Sequence, residues 1–406
     1  MVDSSLPMDL SSPKGSCALE IVKRLTKAGH QALFAGGCVR DHLLGEKPTD
    51  YDIATTAIPD TIEKLFEKTV AVGKQFGVML VIMQGMQFEV ATFRTEGGYQ
   101  DGRHPGFVNF SNAEEDSSRR DFTVNGLFYD PLNNKVLDYV GGLEDLKLGV
   151  IRSIGDATKR FEEDKLRLLR AIRFSAKLGF SVEQRTWEEV KRLAPQIVTV
   201  SAERIRDEID KIWMSNYPHK GLSLLAESGL WKILWPQIDP SVIERFKNSG
   251  QLTIPLACSF LFYGLSRNEI LGQMRRLRYS NDVIQTALRI LDLQKQMDAF
   301  EQLRPGEMKQ LVSDPDYPGA FALYICLPHS DRNVVLMREK SKEWSHLELP
   351  EPLLNGEDLK TLGLAPGPKI REVLKEAYLG QLEGAFHSKA AALGWAEKEI
   401  KKFQED

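Results

Sequence analysis

The stretch GGCVRDHLLGEKPTDYDIAT, residues 36–55, decides the fold of the front part of this 406-residue chain. The apolar segment ALFA before it is predicted to be a strand, and the pair Gly36 and Gly37 then turns the chain into a short helix. The closing segment DYDIAT is predicted to be a second strand. A strand, a glycine turn and a helix start together point backbone N–H groups at an anion, and Arg40 can add a bidentate phosphate contact.

Two carboxylates lie on the second predicted strand. Asp50 and Asp52 are two residues apart, so the alternation along a strand places both side chains on one face. Two like charges this close are unfavourable unless a cation neutralises them, and hard oxygen ligands suit Mg²⁺. Glu89, on the predicted strand MQFEVATFR, would add a third carboxylate if the two strands were neighbours. A D-x-D pair is often a plain surface or turn feature, but the phosphate cradle directly upstream favours the metal role.

The organisation of the chain changes near its middle. Helix and strand patterns alternate up to about residue 145, whereas from about Asp156 onward the apolar spacing is helical and no strand set returns. The fold class is therefore predicted as an α+β head followed by an all-α remainder. We predict a flexible Ser- and Pro-rich N-terminal tail over 1–16 and the head over 17–145. The helical remainder is predicted to form a neck over 146–215, a body over 216–300 and a C-terminal tail over 301–406.

Charge and composition exclude several classes of protein. The chain carries 53 basic and 57 acidic residues, which rules out a uniformly basic nucleic-acid coat. Residues 1–145 hold 14 Lys and Arg against 21 Asp and Glu, whereas residues 146–220 hold 16 against 11. This pattern suits a carboxylate metal site beside a polyanion-binding surface, although solvated helix faces give similar counts.

The spacing of the cysteines and the lengths of the apolar runs indicate the cellular compartment of the protein. The four cysteines have no C-x-x-C spacing, which disfavours a disulfide framework or a structural zinc site. No apolar run reaches the roughly 18 residues of a membrane span, and the N-terminus lacks the pattern of a signal peptide. We predict a cytoplasmic protein that does not enter a membrane.

With these motifs in view, the chain resembles a known family. GGCVRDHLLGEKPTDYDIAT is similar to the opening motif of the tRNA nucleotidyltransferases and bacterial poly(A) polymerases, in the DNA polymerase β superfamily, and most like that of the bacterial CCA-adding members. The similarity continues in the family's order through RRDFTVNGLFYDP (119–131), the segment 137–174 and SAERIRDEI (201–209). The resemblance implies a polymerase β-like head, a helical neck, body and tail, and nucleotide addition to an RNA 3′ end without a nucleic-acid template.

The resemblance also implies roles for individual residues. Asp50 and Asp52 are expected to be catalytic and to bind Mg²⁺. Glu89 is added as a third catalytic carboxylate on the strand reasoning given above. The remaining expected nucleotide-binding residues are Gly36, Gly37, Arg40, Arg120, Asp121, Asp164, Arg167, Arg170 and Arg173.

The motif E-D-x-x-R can select a base by simple hydrogen-bond logic. Asp164 and Arg167 are three apart on a predicted helix, so their side chains are neighbours. A carboxylate only accepts hydrogen bonds and a guanidinium only donates them, which matches the amine and ring nitrogen of cytosine and adenine. Uracil and guanine would turn a carbonyl toward the carboxylate instead. A plain ion pair on a solvated helix is the alternative, and the three motifs upstream favour selection.

Three products remain open: full CCA, a terminal A alone, or a poly(A) tail. The Gly-rich segment 95–108, with Arg103 and His104, favours CCA or A addition, because enzymes that add only CC are expected to lack such a loop. Residues 71–76, AVGKQF, depart at Gln75 from the hydrophobic-Gly-basic-basic-Phe signature of the poly(A) polymerases. We therefore predict CCA addition to the tRNA 3′ end from CTP and ATP with release of pyrophosphate, and keep A addition and poly(A) synthesis as alternatives.

Two other classes fit the sequence less well. An RNA-binding protein without activity would need the basic middle of the chain but not the carboxylates beside a phosphate cradle. A nucleotidyltransferase that acts on a small molecule would share the head but would not need the long helical remainder.

Overall fold

The computed structural model describes residues 6–98, 106–247, 249–327, 331–344 and 346–405. The chain divides into two compact units, Met1–Ile243 and Glu244–Asp406, called here the first and second units. All strands of the described residues lie in the first unit, and the second unit is helical. The predicted order of an α+β head followed by helices is confirmed.

The first unit begins with alternating helices and strands. Its strands are β1 (Ala32–Ala35), β2 (Asp52–Thr55), β3 (Thr69–Gly73), β4 (Val78–Met83), β5 (Met86–Thr92), β6 (Arg94–Gly97), β7 (Phe107–Phe110), β8 (Phe128–Asp130), β9 (Lys135–Leu137), β10 (Val150–Ile151) and β11 (Ser181–Val182). Its helices are α1 (Pro13–Lys27), α2 (Gly37–Leu43), α3 (Pro59–Leu65), α4 (Ala113–Ser118), α5 (Gly142–Leu148), α6 (Ala157–Glu163), α7 (Leu166–Leu178), α8 (Gln184–Leu193), α9 (Ala202–Trp213), α10 (Pro218–Glu227) and α11 (Leu230–Leu234).

Seven of the strands form one mixed sheet in the order β3-β4-β5-β2-β1-β8-β9. Neighbouring strands run antiparallel except for β2 and β5, which are parallel. In the β1–β2 register Ala35 lies opposite Asp52. Strand β2 is therefore central, and its first residue emerges at the same end of the sheet where β1 passes into α2.

Helix α1 starts earlier than the sequence pattern indicates. Pro13 occupies the first turn, where a missing N–H is harmless, and the Ser12 hydroxyl accepts a hydrogen bond from the Gly15 amide at 3.0 Å. Met8, ahead of the helix, is 6% exposed, and its amide donates to the Tyr129 hydroxyl at 3.0 Å. Met8 therefore packs against the head, within the segment that the sequence predicts as a flexible tail.

The Gly-rich segment 95–108, predicted as a loop, contains strand residues at both of its ends. Strands β6 and β7 pair there as an antiparallel hairpin, and α4 follows directly. Four-residue strands are too short to show a periodic pattern in a Gly-rich context, which is why the sequence does not reveal them. Residues 99–105, with Arg103 and His104 of the expected loop, lie outside the described residues.

Helix α7 is the central contact among the helices that follow the sheet in the first unit. Nine of its thirteen residues are buried, and it contacts α9 and α10. The apolar core beneath includes Trp213, Trp231 and Trp235, each at most 2% exposed. Helix α7 is thus a rigid support, and its polar face is available to carry the site described below.

The second unit consists of helices within the described residues. They are α12 (Ile254–Phe262), α13 (Arg267–Arg276), α14 (Asn281–Met297), α15 (Pro305–Val312), α16 (Tyr317–Tyr324), α17 (Asp331–Glu343), α18 (Gly356–Thr361), α19 (Pro368–Leu382) and α20 (Lys389–Glu405). Short 3₁₀ turns also occur in the chain, at Lys74–Phe76, Thr123–Asn125, Ala194–Thr199, Pro240–Phe246 and Phe300–Gln302. Among the described helices, none is both long enough and apolar enough to cross a bilayer.

Candidate active site

A cleft of about 680 Å³ in the first unit collects nearly every residue that the sequence singles out. Glu89 is the one predicted site residue that does not line it. The lining residues are Gly36, Gly37, Cys38, Arg40, Asp41, Thr49, Asp50, Asp52, Glu96, Arg119, Arg120, Asp121, Asn125, Asp164, Leu166, Arg167, Arg170, Arg173, Phe174, Lys177 and Arg204.

The glycine pair forms one wall of the cleft. Gly36 has φ +67°, a left-handed conformation that other residues adopt at a cost, and a Cβ there would approach Arg120 Nη1 to 3.2 Å. Arg40, one turn into α2, is 3% exposed. Its guanidinium donates to Asn125 Oδ1 at 2.6 Å and to Asp41 Oδ1 at 2.6 Å. The wall therefore combines an open backbone with a buried, oriented cation.

The paired aspartates stand at the mouth of the cleft but differ in their settings. Asp52 is the first residue of β2, whereas Asp50 precedes the strand and forms an ion pair with Lys14 at 2.9 Å. The prediction that both lie on one face of a strand is therefore corrected, since only Asp52 belongs to the strand. The prediction for Glu89 requires β5 to lie beside β2, and the two strands do pair, in parallel. Because Ile53 lies opposite Val90, Glu89 is a neighbour of Asp52.

The electrostatics at Asp52 suit a cation. Loss of solvation, then the negative charges of Glu89 and Asp50, raise the pKa of Asp52 to about 6. A carboxylate in such surroundings is stabilised in its ionised form by a bound divalent cation, and oxygen donors match the preference of Mg²⁺. Among the described residues no group of three or more His, Cys, Asp or Glu side chains is close enough to hold a metal by itself. The fit to a metal thus rests on the pair, with the remaining ligands left to substrate and water.

The R-R-D motif is fixed by ion pairs on two sides. Arg120 contacts Asp116 at 3.0 Å and lies over the Phe128 ring, 4.8 Å from its centroid. Asp121 is 8% exposed and accepts hydrogen bonds from Arg170 Nε at 2.8 Å and from Asn125 Nδ2 at 3.1 Å. Burial by itself would raise the pKa of Asp121, but the charge of Arg170 and these hydrogen bonds lower it to about 2. Asp121 is therefore an anion at neutral pH, and it orients Arg170 and Asn125.

Asp164 and Arg167 line the same cleft, but not as a pair on one helix. Asp164 ends α6 in an extended conformation, with φ −148° and ψ 106°, whereas Arg167 lies in the first turn of α7. Asp164 Oδ2 contacts Arg204 Nη2 at 2.7 Å, and Arg167 Nη1 contacts Glu163 Oε2 at 2.7 Å. The alternative of a simple ion pair between the two is thus wrong, and each side chain is held by its own partner.

The floor of the cleft is a row of cations on α7. Arg170, Arg173 and Lys177 recur every three or four residues, so they share one helix face. Sequence reasoning included the two arginines but missed Lys177, although its spacing from Arg170 was a usable signal. It also missed Phe174, whose ring lies beneath the arginines. Asp41 and Thr49 of the lining were missed as well, although they are the sequence neighbours of Arg40 and Asp50.

Comparisons with known proteins match most of the chain. Two family models match, the Poly A polymerase head domain over residues 32–152 and the probable RNA and SrmB-binding site of polymerase A over 179–242. A CCA-adding enzyme from Leuconostoc mesenteroides subsp. mesenteroides is 33% identical over 382 residues, which cover 88% of this chain and 90% of the relative. One from Streptococcus pyogenes serotype M2 is 33% identical over 388 residues, covering 90% and 92%.

A solved structure extends the likeness to three dimensions. The crystal structure of the Bacillus stearothermophilus CCA-adding enzyme in complex with CTP superposes with a TM-score of 0.83 at 27% identity, covering 97% of this chain and 99% of that chain. Fold and cleft together define a nucleotidyltransferase with a polymerase-type head. Within that class, the chain belongs to the family of the CCA-adding enzymes. The resemblance inferred from the sequence motifs is confirmed.

Proposed function

We propose that this protein adds cytidine and adenosine nucleotides to the 3′ end of tRNA to complete CCA, taking them from CTP and ATP and releasing pyrophosphate. The observation that carries this proposal is the single cleft in which Asp50 and Asp52, the arginine row of α7, and Asp164 with Arg167 meet. A cleft of this composition offers a cation site, an anion site and a hydrogen-bonding edge for a base. The full-length relatives with the printed name CCA-adding enzyme support the choice of substrate.

The anion site is proposed to hold the triphosphate. Arg40 enters from α2, and Arg170 and Arg173 enter from α7, so guanidinium groups approach from two sides. Guanidinium groups bind phosphate oxygens through paired N–H donors and stay charged at all physiological pH values. Because they keep the β- and γ-phosphates in place, the α-phosphorus is held toward the aspartates, where the RNA 3′ hydroxyl would attack it in line.

Asp50 and Asp52 are proposed to hold Mg²⁺. When bound, the metal lowers the pKa of the attacking hydroxyl and neutralises charge that develops on the phosphoryl group. Asp52 fits this role because its surroundings already disfavour an uncompensated negative charge. Glu89 is proposed as a third catalytic carboxylate. It neighbours Asp52 but does not line the cleft, so it would act through its charge on Asp52.

Asp164 and Arg167 are proposed to choose the base. Asp164 keeps one carboxylate oxygen on Arg204 and the other on the Leu166 amide, so its position is defined before a nucleotide enters. A carboxylate facing the amine of cytosine or adenine gains a hydrogen bond, whereas facing the carbonyl of uracil or guanine leaves two acceptors opposed. Each unpaired buried polar group costs on the order of 1–3 kcal/mol, which is sufficient for strong discrimination.

The helical part of the chain is proposed to bind the tRNA. The RNA-binding family model over residues 179–242 supports this for the segment from β11 to α11. We keep the predicted division of this helical part into a neck over 146–215, a body over 216–300 and a tRNA-binding tail over 301–406. A cytoplasmic location is proposed as well, and the free state of all four cysteines is consistent with a reducing compartment.

One assay tests the function and separates its alternatives. The full chain is incubated with Mg²⁺, CTP, ATP and tRNA transcripts that end at the discriminator base, at C or at CC, and the products are sequenced. CCA addition predicts completion of all three transcripts. Extension of the CC transcript alone would identify an A-adding enzyme, and long A runs on unstructured RNA would identify a poly(A) polymerase. No extension of any RNA would contradict the proposal.

A further inference from the structure

The ring of Phe174 lies among three guanidinium groups of the cleft. The carbon Cζ of Arg173 is 4.2 Å from the ring centroid, that of Arg170 is 5.3 Å away, and that of Arg40 is 5.4 Å away. The first two arginines belong to α7, but Arg40 comes from α2 in the head. Phe174 itself is 6% exposed, so the cations meet at a nearly dry aromatic surface.

We propose that Phe174 is a positioning residue for the polyphosphate of the incoming nucleotide, because its ring holds the guanidinium groups of Arg40, Arg170 and Arg173 together before the anion arrives. This inference rests on the proposed function, since it assigns a task to a residue beneath the proposed triphosphate site. Phe174 does not act on the reacting atoms. It acts through the arginines that do contact the phosphates.

The charges around the ring leave a surplus of cations. Four cations share three carboxylates, in the ion pairs of Arg40 and Lys177 with Asp41, Arg170 with Asp121, and Arg173 with Glu208. Among these cations, the charged form of Arg173 is the most disfavoured by its surroundings. Burial, and then repulsion from Arg170, lower its pKa to about 10, although Glu208 opposes the effect. Arg173 therefore stays protonated at neutral pH in a place where an added anion would relieve the excess positive charge.

An aromatic ring is suited to such a cluster because it attracts cations without using their N–H groups. A further carboxylate that neutralised the surplus positive charge would accept hydrogen bonds that a phosphate needs. A π face lowers the electrostatic energy of the nearby cations and leaves the donors directed elsewhere. Guanidinium groups that repel one another can thus be kept close together and still be ready for an anion.

The ring is itself fixed in place by the head. Phe122 packs against it edge to face, with ring centroids 5.8 Å apart and an interplanar angle of 74°. Phe122 is fully buried and directly follows Asp121, which holds Arg170. The aromatic pair therefore links the R-R-D motif to α7, so the arginines from both sides converge on a ring that is packed against the head.

The test compares two leucine variants and one tyrosine variant of the full chain. Phe174→Leu removes the π face but keeps an apolar side chain, and Phe174→Tyr keeps the ring. Phe66→Leu is the matched control, because Phe66 is 5% exposed, follows α3 in the head and does not line the cleft. Inorganic tripolyphosphate is titrated calorimetrically into each protein without nucleotide, and thermal melts report the loss of packing.

We expect Phe174→Leu to weaken tripolyphosphate binding about ten-fold, consistent with the loss of several desolvated cation–π contacts. The KM values for CTP and ATP should rise by the same factor, with kcat and the preference over UTP little changed. Phe174→Tyr should bind within about two-fold of wild type, and Phe66→Leu should bind as wild type does while losing comparable thermal stability.

Two results would overturn the inference: unchanged tripolyphosphate binding in Phe174→Leu, or equal weakening in both leucine variants, which would indicate a general effect of packing. These results are separable from failure of the proposed function. A wild-type protein that binds tripolyphosphate but extends no RNA counts against the function alone.

Discussion

The carboxylate of Asp164 is held by the guanidinium of Arg204, with Oδ2 and Nη2 2.7 Å apart, although 40 positions separate the two residues along the chain. The second carboxylate oxygen accepts the Leu166 amide at 3.0 Å. Asp164 stands where α6 ends and α7 has not yet begun, so its side chain is not bound to the spacing of a helix. It is oriented by contacts from α9 and from the start of α7, and these contacts set the direction in which it faces the cleft.

Replacement of Asp164 by alanine should relax the choice of nucleotide. Without the carboxylate, the carbonyl of uracil or guanine no longer faces an acceptor, so the ratio of kcat/KM for CTP over UTP should fall about a hundred-fold, the equivalent of about 3 kcal/mol. Steady-state incorporation with each of the four triphosphates measures this ratio. Glu162→Ala is the control, because Glu162 is an exposed carboxylate nearby that does not line the cleft. Unchanged selectivity in Asp164→Ala would move base selection to other residues.

The double variant Asp50→Ala with Asp52→Ala should lose nucleotide incorporation by at least about a thousand-fold, since metal-based charge stabilisation supplies several kcal/mol. Its melting temperature should stay the same or rise slightly, because the change removes repulsion among Asp50, Asp52 and Glu89. Primer extension and thermal melts report the two effects. Asp9→Asn with Asp60→Asn, two exposed carboxylates of the same unit, serves as the control. Retained activity in the double variant would refute the metal site.

Asp121 should contribute to stability in a pH-dependent way. Its pKa is about 2 in the fold against an ordinary 3.8, so the ionised form is favoured by folding. The contribution, about 2 kcal/mol, is complete above the ordinary pKa and is lost as the pH falls through the folded pKa. Asp121→Asn should therefore be less stable than wild type at pH 7, and the difference should shrink by about half at pH 3.

Urea unfolding at the two pH values measures that difference for Asp121. Asp207→Asn is the control, because Asp207 is an exposed carboxylate of the same unit. A stability difference that is the same at pH 7 and pH 3 would show that the Asp121–Arg170 ion pair does not favour the ionised form.

The N-terminal segment should stabilise the head through Met8. Because this side chain is 6% exposed, Met8→Ala should lower the free energy of unfolding by about 2 kcal/mol or more. Leu6→Ala is the matched control, since Leu6 is 58% exposed and its truncation should change stability by less than about 0.5 kcal/mol. Chemical denaturation of both variants decides the matter. Equal stabilities would mean that the segment contributes nothing to the fold.

Much of the cleft could be predicted from local patterns. A glycine turn after a strand predicts the role of Arg40, and a D-x-D pair predicts that of Asp52, whereas Arg170 follows only from the resemblance to the family. Their assembly into one cleft follows from the central position of β2 and the packing of α7. Local signals sufficed for Arg40 and Asp52 because both lie beside the glycine turn and the start of β2.

The remainder depends on contacts between distant parts of the chain. The break at Asp164 is invisible to helix periodicity, because the flanking residues are good helix formers on both sides. The ion pair of Lys14 with Asp50 joins α1 to the segment before β2, and no spacing rule relates them. A phenylalanine within a helix carries no functional signal of its own, and only the place of Phe174 among three arginines distinguishes it.

Gly36 has a consequence for how this cleft can change over time. Its backbone is left-handed, and the space where a side chain would stand is taken up by the guanidinium of Arg120, 84 residues further along the chain. A library that randomises position 36 alone should return only glycine among active clones, whereas a library that randomises positions 36 and 120 together would still face the backbone barrier. Position 36 is thereby restricted to glycine first by its own backbone, and the nearby guanidinium of Arg120 adds a second restriction.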